Sequence, residues 1–515
     1  MDKAIQYQGQ HYDDLVARQV EQYRETDEMH DLSPIFNYWS SKYIRPNFYA
    51  LTGSDNSIDF YASYFLKSLQ DTESNFLLSI GSGDCSMEIE IVKKLLSKGQ
   101  KDFVFMCLEL SPLFVEKARK KIDEEGLGDV LTVSRTDLNT WQPRHLFSGI
   151  MAHHSLHHVL NLEHVFRLVK DHLSVKGKFL TCDIIGRNGH MRWPEALWIV
   201  REIWQRLPRK YKYANQMRRF DDYFENWDCS AEGFEGIRSQ DILPLLVKFF
   251  SFEVFYGFGN LIDPFVDRNF GPNYHVQNPE DVQFIDSLHQ FDEKLISENI
   301  ITPTGMIAVL VNEPVNEPKT YKNWTPEFVT RHPFAMPRIA SIENFLASIP
   351  YKLKETDDPL KINKPEKYKL GTEIFFGKSG KGRQYFKYGW GTPEDDFTWS
   401  VGEIASLQFP MEKKITEPVD VIIKMIPYRS TIYNSATIEI VVNDINIKTI
   451  EFQNDTPGHL LVVKVPIREK ILNDPEMPEI NLRLPHRRQP QFEEGSDIRT
   501  LGIAIISLQI ERASG

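Results

Sequence analysis

The sequence predicts an α/β chain: a doubly wound sheet of seven strands with an N-terminal helical cap, followed by an all-β sandwich. Three observations predict this arrangement. From Phe76 onward, short apolar runs alternate with stretches of helical periodicity, as in a parallel sheet with helices on both faces. A glycine-punctuated turn follows the first run at once. Beyond residue 371 the apolar period becomes two, as at Ile438, Ile440 and Val442, which is typical of an antiparallel sandwich.

The chain is too long for a single hydrophobic core, since it has 515 residues. We place a helical cap or lid at residues 1–70 and the α/β domain at 71–313, with an insert at 186–275 on the substrate side. A linker with a short helix is expected at 314–370, and the sandwich at 371–515.

Composition narrows the class of protein. The formal net charge of −12 disfavours a general nucleic-acid or anionic-membrane binder. No run of about 18 apolar residues is present, and the first residues lack the apolar region of a signal peptide. The 4 cysteines are far apart and form no CxxC pair, which is typical of reduced thiols. We therefore expect a cytoplasmic protein without a nucleic-acid partner or a membrane span, and leave its oligomeric state open.

Seven apolar runs are predicted as strands, and the first five are joined by helices. They are residues 76–80, 103–108, 130–134, 147–152, 178–183, 250–255 and 306–311. Because the carboxyl ends of parallel strands meet at one edge of a sheet, ligands are expected at that edge.

The turn after the first strand has the composition of a nucleotide-binding loop. Gly81 and Gly83, on either side of Ser82, lack the Cβ atoms that would keep a ligand from the backbone, and the next helix begins with free N–H groups. Asp84 follows, and the sixth position of the dinucleotide pattern G-x-G-x-x-G is Ser86 instead of glycine. The loop alone leaves NAD and S-adenosylmethionine both open.

Two acidic residues stand at the ends of the next strands. Glu109, followed by Leu110, can bond both ribose hydroxyls. Asp137, followed by Leu138, can hold an adenine amino group beside an apolar wall. Together with the loop and the strand count, these residues resemble those of class I S-adenosylmethionine-dependent methyltransferases. The resemblance implies a Rossmann-like fold, S-adenosyl-L-methionine as cofactor, and cofactor contacts from residues 81–84, from these two pairs and from His153.

Further motifs resemble one subgroup of these methyltransferases and one type of β-sandwich. Residues 186–195 (GRNGHMRWPE), 233–238 (GFEGIR) and 258–265 (FGNLIDPF) are similar to a bacterial subgroup of these enzymes associated with polysaccharide or secondary-metabolite pathways. Residues 389–394 (GWGTPE) and 497–502 (DIRTLG) resemble a β-sandwich appended to bacterial glycosyltransferases. The resemblance spans most of the chain. It implies the identity of the cofactor more specifically than that of the acceptor substrate.

Histidines that follow the fourth strand are the candidate catalytic residues. His154 and His157 are three residues apart, and His154 and His158 four, so a helix starting there would place them on one face. A neutral imidazole can take the proton of an acceptor hydroxyl. The same spacing could chelate a divalent metal with Asp183, or the histidines could pack against the cofactor. We assign no metal ligands.

The insert carries the candidate substrate-binding residues. Tryptophans and charged side chains are interspersed there, a mixture that suits sugar-like substrates. We assign this role to Asp183, His190, Trp193, Glu195 and Arg238. An ordinary helical layer with solvated charges is the alternative for the insert.

The expected function is methyl transfer to a hydroxyl of a sugar, a glycan or a glycosylated metabolite. One alternative acceptor is a natural product or a peptide, methylated on oxygen or nitrogen. The other alternative is a non-catalytic binding protein in which the sandwich carries the function.

Overall fold

The structure, a computed structural model, describes most of the chain outside two segments and several sandwich loops. The described residues are 32–221, 223–231, 233–331, 366–388, 390, 395–401, 404–427, 435–442, 445–453, 460–468, 478–483 and 501–513. Residues 1–31 of the expected cap, 332–365 of the expected linker and most of the two sandwich motifs therefore lie outside them.

Twenty strands form the sheets of the described residues. They are β1 (Phe76–Ile80), β2 (Val104–Glu109), β3 (Leu131–Arg135), β4 (Phe147–His153), β5 (Leu173–Ile184), β6 (Tyr213–Ala214), β7 (Arg219–Phe220), β8 (Ser251–Phe258), β9 (Gly305–Val311), β10 (Lys319–Thr320), β11 (Glu373–Phe375), β12 (Phe386–Tyr388), β13 (Thr398–Val401), β14 (Ile404–Gln408), β15 (Val419–Pro427), β16 (Ser435–Val442), β17 (Ile445–Gln453), β18 (Leu461–Ile467), β19 (Glu479–Arg483) and β20 (Leu501–Arg512).

Eleven α-helices accompany them. They are α1 (Pro34–Trp39), α2 (Arg45–Thr52), α3 (Ser57–Asp71), α4 (Ser86–Ser97), α5 (Pro112–Glu124), α6 (Leu162–His172), α7 (Pro194–Arg206), α8 (Ser239–Phe249), α9 (Asp263–Val266), α10 (Pro279–Ser297) and α11 (Pro326–Val329). A π-helical segment, Ser40–Ile44, joins α1 to α2.

The main sheet confirms the predicted doubly wound domain. Its strand order is β10-β8-β9-β5-β4-β1-β2-β3. Strands β1 to β5 run parallel to one another. Strand β9 is antiparallel to both β5 and β8. All seven predicted strands are present. The two-residue strand β10 adds an eighth at the edge, beyond residue 313.

Both faces of this sheet are buried, which explains the near-continuous apolar runs of its central strands. Successive side chains of a strand point to opposite faces. Leu77 and Met151 accordingly pack into one core with α3, α4 and α5, whereas Leu78 and Ile150 pack into the other with α6, α7 and α8. The carboxyl edge of the sheet is thus held rigidly between two helical layers.

The described part of the cap is docked on the α/β domain. Tyr38, Lys42 and Tyr43 all donate to the carboxylate of Asp286 on α10, at 2.8–3.1 Å. The indole N–H of Trp39 donates to Nδ1 of His289, 3.2 Å away. These contacts fix residues 38–43 against α10.

The C-terminal residues form the predicted β-sandwich. One antiparallel sheet has the order β11-β20-β15-β18, with β13 also paired to β20, and the other has the order β12-β14-β19-β16-β17. Their inner faces share one apolar core that buries Trp390. Arg201 of α7 donates to the Trp390 carbonyl at 3.2 Å, so the sandwich contacts the insert. Among the residues that the structure describes, none of the helices combines the length and the apolar composition that a membrane crossing requires.

Candidate functional site

The candidate site lies where the strand order of the main sheet reverses. The chain leaves β1 toward β2 on one side, and β4 lies against β1 on the other side. In open α/β sheets, ligands bind in the crevice outside the carboxyl ends of such strands. The glycine loop follows β1 and the histidine segment follows β4, so both predicted groups meet in this crevice.

The loop after β1 is tightly folded against its neighbours. Gly81 has a φ of +69° and Gly83 a φ of +55°, values that favour glycine. The N–H groups of Gly81 and Ser82 donate to the carbonyl of Leu108, at 2.9 and 3.2 Å. A Cβ on Gly81 would lie 2.6 Å from Cβ of Ser155, so this glycine brings the loop against the histidine segment.

Glu109 connects the first two strand ends. Its Oε2 accepts the N–H of Gly83 at 2.9 Å, and its Oε1 accepts the N–H of Ser111 at 2.7 Å. Burial raises the pKa of this carboxyl, although the N–H groups of Ser111, Gly83 and Leu110 oppose the shift. The carboxylate is therefore tied both to the loop after β1 and to the residue that precedes α5.

The other predicted cofactor residues surround this edge. Asp84 forms an ion pair with Lys121 on α5, with 2.5 Å between the charged atoms. Asp137 accepts two hydrogen bonds from Asn139, each at 2.9 Å, and Leu138 packs partly buried against the core. His153 ends β4, with its Nδ1 3.1 Å from the hydroxyl of Tyr61. Burial lowers the pKa of His153 to about 3.

The premise that a helix begins at His154 is wrong. His154 has a φ of +50°, and only a single 3-10 turn, Leu156–His158, follows it before α6. The peptide N–H of His154 donates to the Cys182 carbonyl at 2.8 Å, which ties the segment to β5. The His154 side chain is exposed, yet the surrounding protein desolvates it enough to lower its pKa.

His157 forms a buried pair with Asp183. Its Nδ1 lies 2.5 Å from Oδ1 of Asp183, and the exposed fractions of the two side chains are 4% and 0%. Oδ2 of Asp183 accepts the N–H groups of Ser155 and Leu156, at 3.0 and 2.8 Å. Burial would lower the pKa of His157, but Asp183 and Glu235 raise it to about 10. Burial would raise the pKa of Asp183, but His157 lowers it to about 2.

Two loops of the insert place His190 and Glu235 next to the pair of His157 and Asp183, so that the Glu235 carboxylate lies beside it. Nε2 of His190 lies 2.6 Å from Oε1 of Glu235, and Nε2 of His157 lies 3.6 Å from the same oxygen. Nε2 of His158 lies 3.6 Å from Oε2 of Glu235. Burial would raise the pKa of Glu235, but hydrogen bonds with His157 and His190 lower it. Burial lowers the pKa of His158 to about 3.

Glycines explain how the two loops meet. The N–H of Gly189 donates to the carbonyl of Gly236 at 2.8 Å. A Cβ on Gly236 would lie 3.0 Å from the nitrogen of Gly189 and 3.1 Å from that of His190. The motifs at 186–195 and 233–238 thus pack backbone against backbone, which aims His190 and Glu235 at each other.

The remaining predicted substrate residues make contacts outside this cluster. The guanidinium of Arg331 lies 3.9 Å from the ring centre of Trp193, and its Nε donates to Glu195 at 3.1 Å. Arg238 bonds both carboxylate oxygens of Glu163, at 2.6 and 2.8 Å. The structure therefore brings Asp183 and His190 to the histidine segment, whereas Glu195 and Arg238 form ion pairs elsewhere and Trp193 stacks against the Arg331 guanidinium.

Three residues of the site were missed by sequence reasoning. Glu235 stands inside the GFEGIR motif, and its position between two glycines was an available signal. Ser155 lies inside the histidine segment, with its hydroxyl donating to the Ile80 carbonyl at 2.6 Å. Tyr61 belongs to α3 and reaches His153 from the cap, a contact that no local pattern indicates.

Comparisons with known proteins are distant. No protein-family model matches the sequence, and no curated protein matches it. A solved S-adenosylmethionine-dependent methyltransferase from Clostridium acetobutylicum ATCC 824 is similar over 30% of this chain, with 17% identity and a TM-score of 0.21. The match spans 61% of the length of that methyltransferase. The O-methyltransferase of a trans-AT PKS multienzyme of Brevibacillus brevis, in complex with S-adenosyl-L-homocysteine, is similar over 64% of this chain and 95% of its own, with 12% identity and a TM-score of 0.30. A solved StiE O-MT structure is similar over 57% of this chain and 91% of its own, with 9% identity and a TM-score of 0.30.

Proposed function

We propose that the protein is an S-adenosylmethionine-dependent methyltransferase that methylates a hydroxyl of a sugar, a glycan or a glycosylated metabolite. The observation that carries this proposal is the contact between Gly81 and Ser155. It brings the glycine loop, to which the Glu109 carboxylate is hydrogen-bonded, directly beside the segment that carries the buried pair His157 and Asp183.

The loop favours S-adenosylmethionine over a dinucleotide. A pyrophosphate is bound by free backbone N–H groups at such a loop. Here the N–H groups of Gly81, Ser82 and Gly83 all donate to protein oxygens. Asp84, although paired with Lys121, adds a carboxylate beside the loop that would repel a phosphate and attract a sulfonium cation. Glu109 can still accept hydrogen bonds from both ribose hydroxyls.

For methyl transfer, the protein mainly has to align the acceptor oxygen with the methyl carbon and to remove the proton of the acceptor hydroxyl. The acceptor oxygen attacks the methyl carbon, the carbon–sulfur bond breaks with its electron pair remaining on sulfur, and the hydroxyl proton passes to a base. His154 and His158 are the candidate bases because they are open to an acceptor: His154 is exposed, and 24% of the His158 side chain is exposed. His157 is buried between Asp183 and Glu235, so we assign it a positioning role.

A sugar-like acceptor is proposed from the residues that border the cluster. The side chain of Trp227 is 59% exposed. Its neighbour Asp228 lies so close to Gly189 that a Cβ there would meet its carboxylate. An exposed ring beside charged side chains suits a ligand with one apolar face and several hydroxyls.

Binding and transfer are tested in two stages. Isothermal titration with S-adenosyl-L-homocysteine is expected to give one site per chain, and an absence of binding would refute the cofactor assignment. Radiolabelled methyl transfer from S-adenosylmethionine is then measured against sugars, glycosides, phenols and peptides, with His154→Ala and His158→Ala as variants. Labelling of peptides or phenols alone would contradict the sugar assignment, and full activity in both variants would contradict the histidine base.

A further inference from the structure

We propose that His157, His190 and Glu235 bind one divalent first-row transition-metal ion through two imidazole Nε2 atoms and one carboxylate oxygen. These three side chains come from three separate segments of the chain. Their ligand atoms all lie within 4.8 Å of one another. The binding of the ion does not depend on the proposed methyl transfer, whereas the role suggested for it below rests on that function.

The separations of the donor atoms fit an ion between them. Bonds of 2.0–2.1 Å at a tetrahedral centre separate two ligand atoms by about 3.3 Å. The Nε2 atoms of His190 and His157 lie 2.6 and 3.6 Å from the shared oxygen of Glu235, on either side of that value. Side-chain movements below about 1 Å, without a change in the loops, would therefore complete the coordination.

Asp183 acts behind the site as the partner of a ligand. Metal-binding histidines usually donate their other ring N–H to a carboxylate, which fixes the tautomer and orients the ring. Nδ1 of His157 meets Oδ1 of Asp183, so its Nε2 is the atom directed at Glu235. The other oxygen of Asp183 is fixed by the N–H groups of Ser155 and Leu156, so the carboxylate itself cannot turn away.

The backbone holds the other two donors in place at a conformational cost. His190 has a φ of +56°, which is uncommon for a residue with a side chain and is found at sites where function constrains the chain. The Gly189–Gly236 hydrogen bond fixes the loop of His190 against the loop of Glu235. The left-handed backbone of His190 and the joined loops together hold its Nε2 2.6 Å from the Glu235 carboxylate.

The donor set selects the kind of ion. Two imidazoles and one carboxylate suit Zn²⁺, Fe²⁺ or Co²⁺, whereas Mg²⁺ and Ca²⁺ prefer oxygen ligands alone. Three protein ligands leave at least one coordination position open. The side chains of His190 and Glu235 are 20% and 32% exposed, so that position is accessible from the crevice. If the proposed function holds, an ion held by these residues would favour loss of the acceptor's hydroxyl proton to solvent at the open crevice.

The test is metal binding to the full-length protein after treatment with a chelator. We expect one equivalent of Co²⁺ per chain, seen by its visible absorption, and displacement of the Co²⁺ by Zn²⁺. Glu235→Gln and His190→Asn should each weaken binding at least 100-fold; asparagine also tolerates the left-handed backbone of His190. Asp183→Asn should weaken it about 10- to 100-fold. The matched control His275→Asn removes an exposed histidine outside the cluster and should leave binding unchanged.

The outcomes separate the metal site from the methyltransferase proposal. Each variant is first shown to bind S-adenosyl-L-homocysteine, or to melt cooperatively at the wild-type temperature, so that misfolding is identified. Absence of stoichiometric Co²⁺ binding, or equal binding by Glu235→Gln and the wild type, would overturn the metal site while leaving the cofactor result untouched. Stoichiometric binding without any methyl transfer would support the metal site and count against the proposed function.

Discussion

Replacing Gly81 by alanine tests whether the glycine loop and the histidine segment form one site. Gly81 has a φ of +69°, where a side chain costs about 1–2 kcal/mol. The new Cβ would lie 2.6 Å from Cβ of Ser155, whereas non-bonded carbons prefer about 3.5–4.0 Å. Since Ser155 is itself fixed by Ile80 and Asp183, the loop must move instead. We expect affinity for S-adenosyl-L-homocysteine to fall more than 10-fold, or by over about 1.4 kcal/mol.

Isothermal titration measures this change, and Gly83→Ala is the matched control. Gly83 has a φ of +55°, but among the described residues no atom other than those of its chain neighbours lies within 4 Å of an added Cβ, so only the conformational cost applies. Gly81→Ala should therefore be the more damaging of the two. Adding Ser155→Gly to Gly81→Ala removes the clash and should recover part of the affinity. Wild-type affinity in Gly81→Ala, or a larger loss in Gly83→Ala, would refute the reasoning.

Three further predictions concern other parts of the site and the cap. Glu109→Gln replaces one acceptor oxygen by an amide N–H group that faces a backbone N–H. It should weaken S-adenosyl-L-homocysteine binding by about 1.5–3 kcal/mol in the same titration. Unchanged binding would contradict the ribose assignment. Arg238→Ala removes the bidentate pair with Glu163 and should lower the free energy of unfolding in urea by about 1–2 kcal/mol, discounted because 42% of the Glu163 side chain is exposed. Burial lowers the pKa of His289 to about 4 in the folded protein. As the pH falls, this histidine is therefore protonated first in the unfolded chain, near pH 6.5. The stability that His289 contributes above about pH 6.5 is lost as the pH falls toward 4. The unfolding free energy of the wild type relative to His289→Gln should therefore fall by about 1.4 kcal/mol from pH 7.5 to 5.5, and a flat difference would contradict the assignment.

The fold was predictable because each of its elements leaves a local pattern. The run that forms β1 was bounded correctly at Phe76–Ile80, since the glycine turn ends it sharply. The start of β5 was placed five residues late, at Lys178 instead of Leu173. Here α6 passes directly into the strand, and the pairing with β4 is interrupted between Phe147 and Gly149, so no turn residue marks the boundary.

The candidate site was predictable only in part. Loop residues and strand ends are adjacent in sequence to the elements that position them, so Gly81 and Glu109 could be assigned from pattern alone. Glu235 lies 45 residues from His190 and 78 from His157 in the sequence, and meets them only because the glycines of two loops pack together. Hydrophobic periodicity does not reveal such a contact, and the spacing of His154, His157 and His158 concerns one segment of the chain only.

In the proposed methyltransferase, the two sides of the crevice differ in how they are built. The proposed cofactor side consists of backbone groups and carboxylates at strand ends, which the packed sheet holds fixed. The proposed acceptor side consists of two insert loops joined by the hydrogen bond between Gly189 and Gly236. Substitutions in those loops can reshape the acceptor pocket without disturbing the sheet, whereas loss of that hydrogen bond would separate His190 from Glu235. Acceptor specificity should therefore depend on loop residues beside the two glycines, while the glycines themselves determine whether the cluster forms at all.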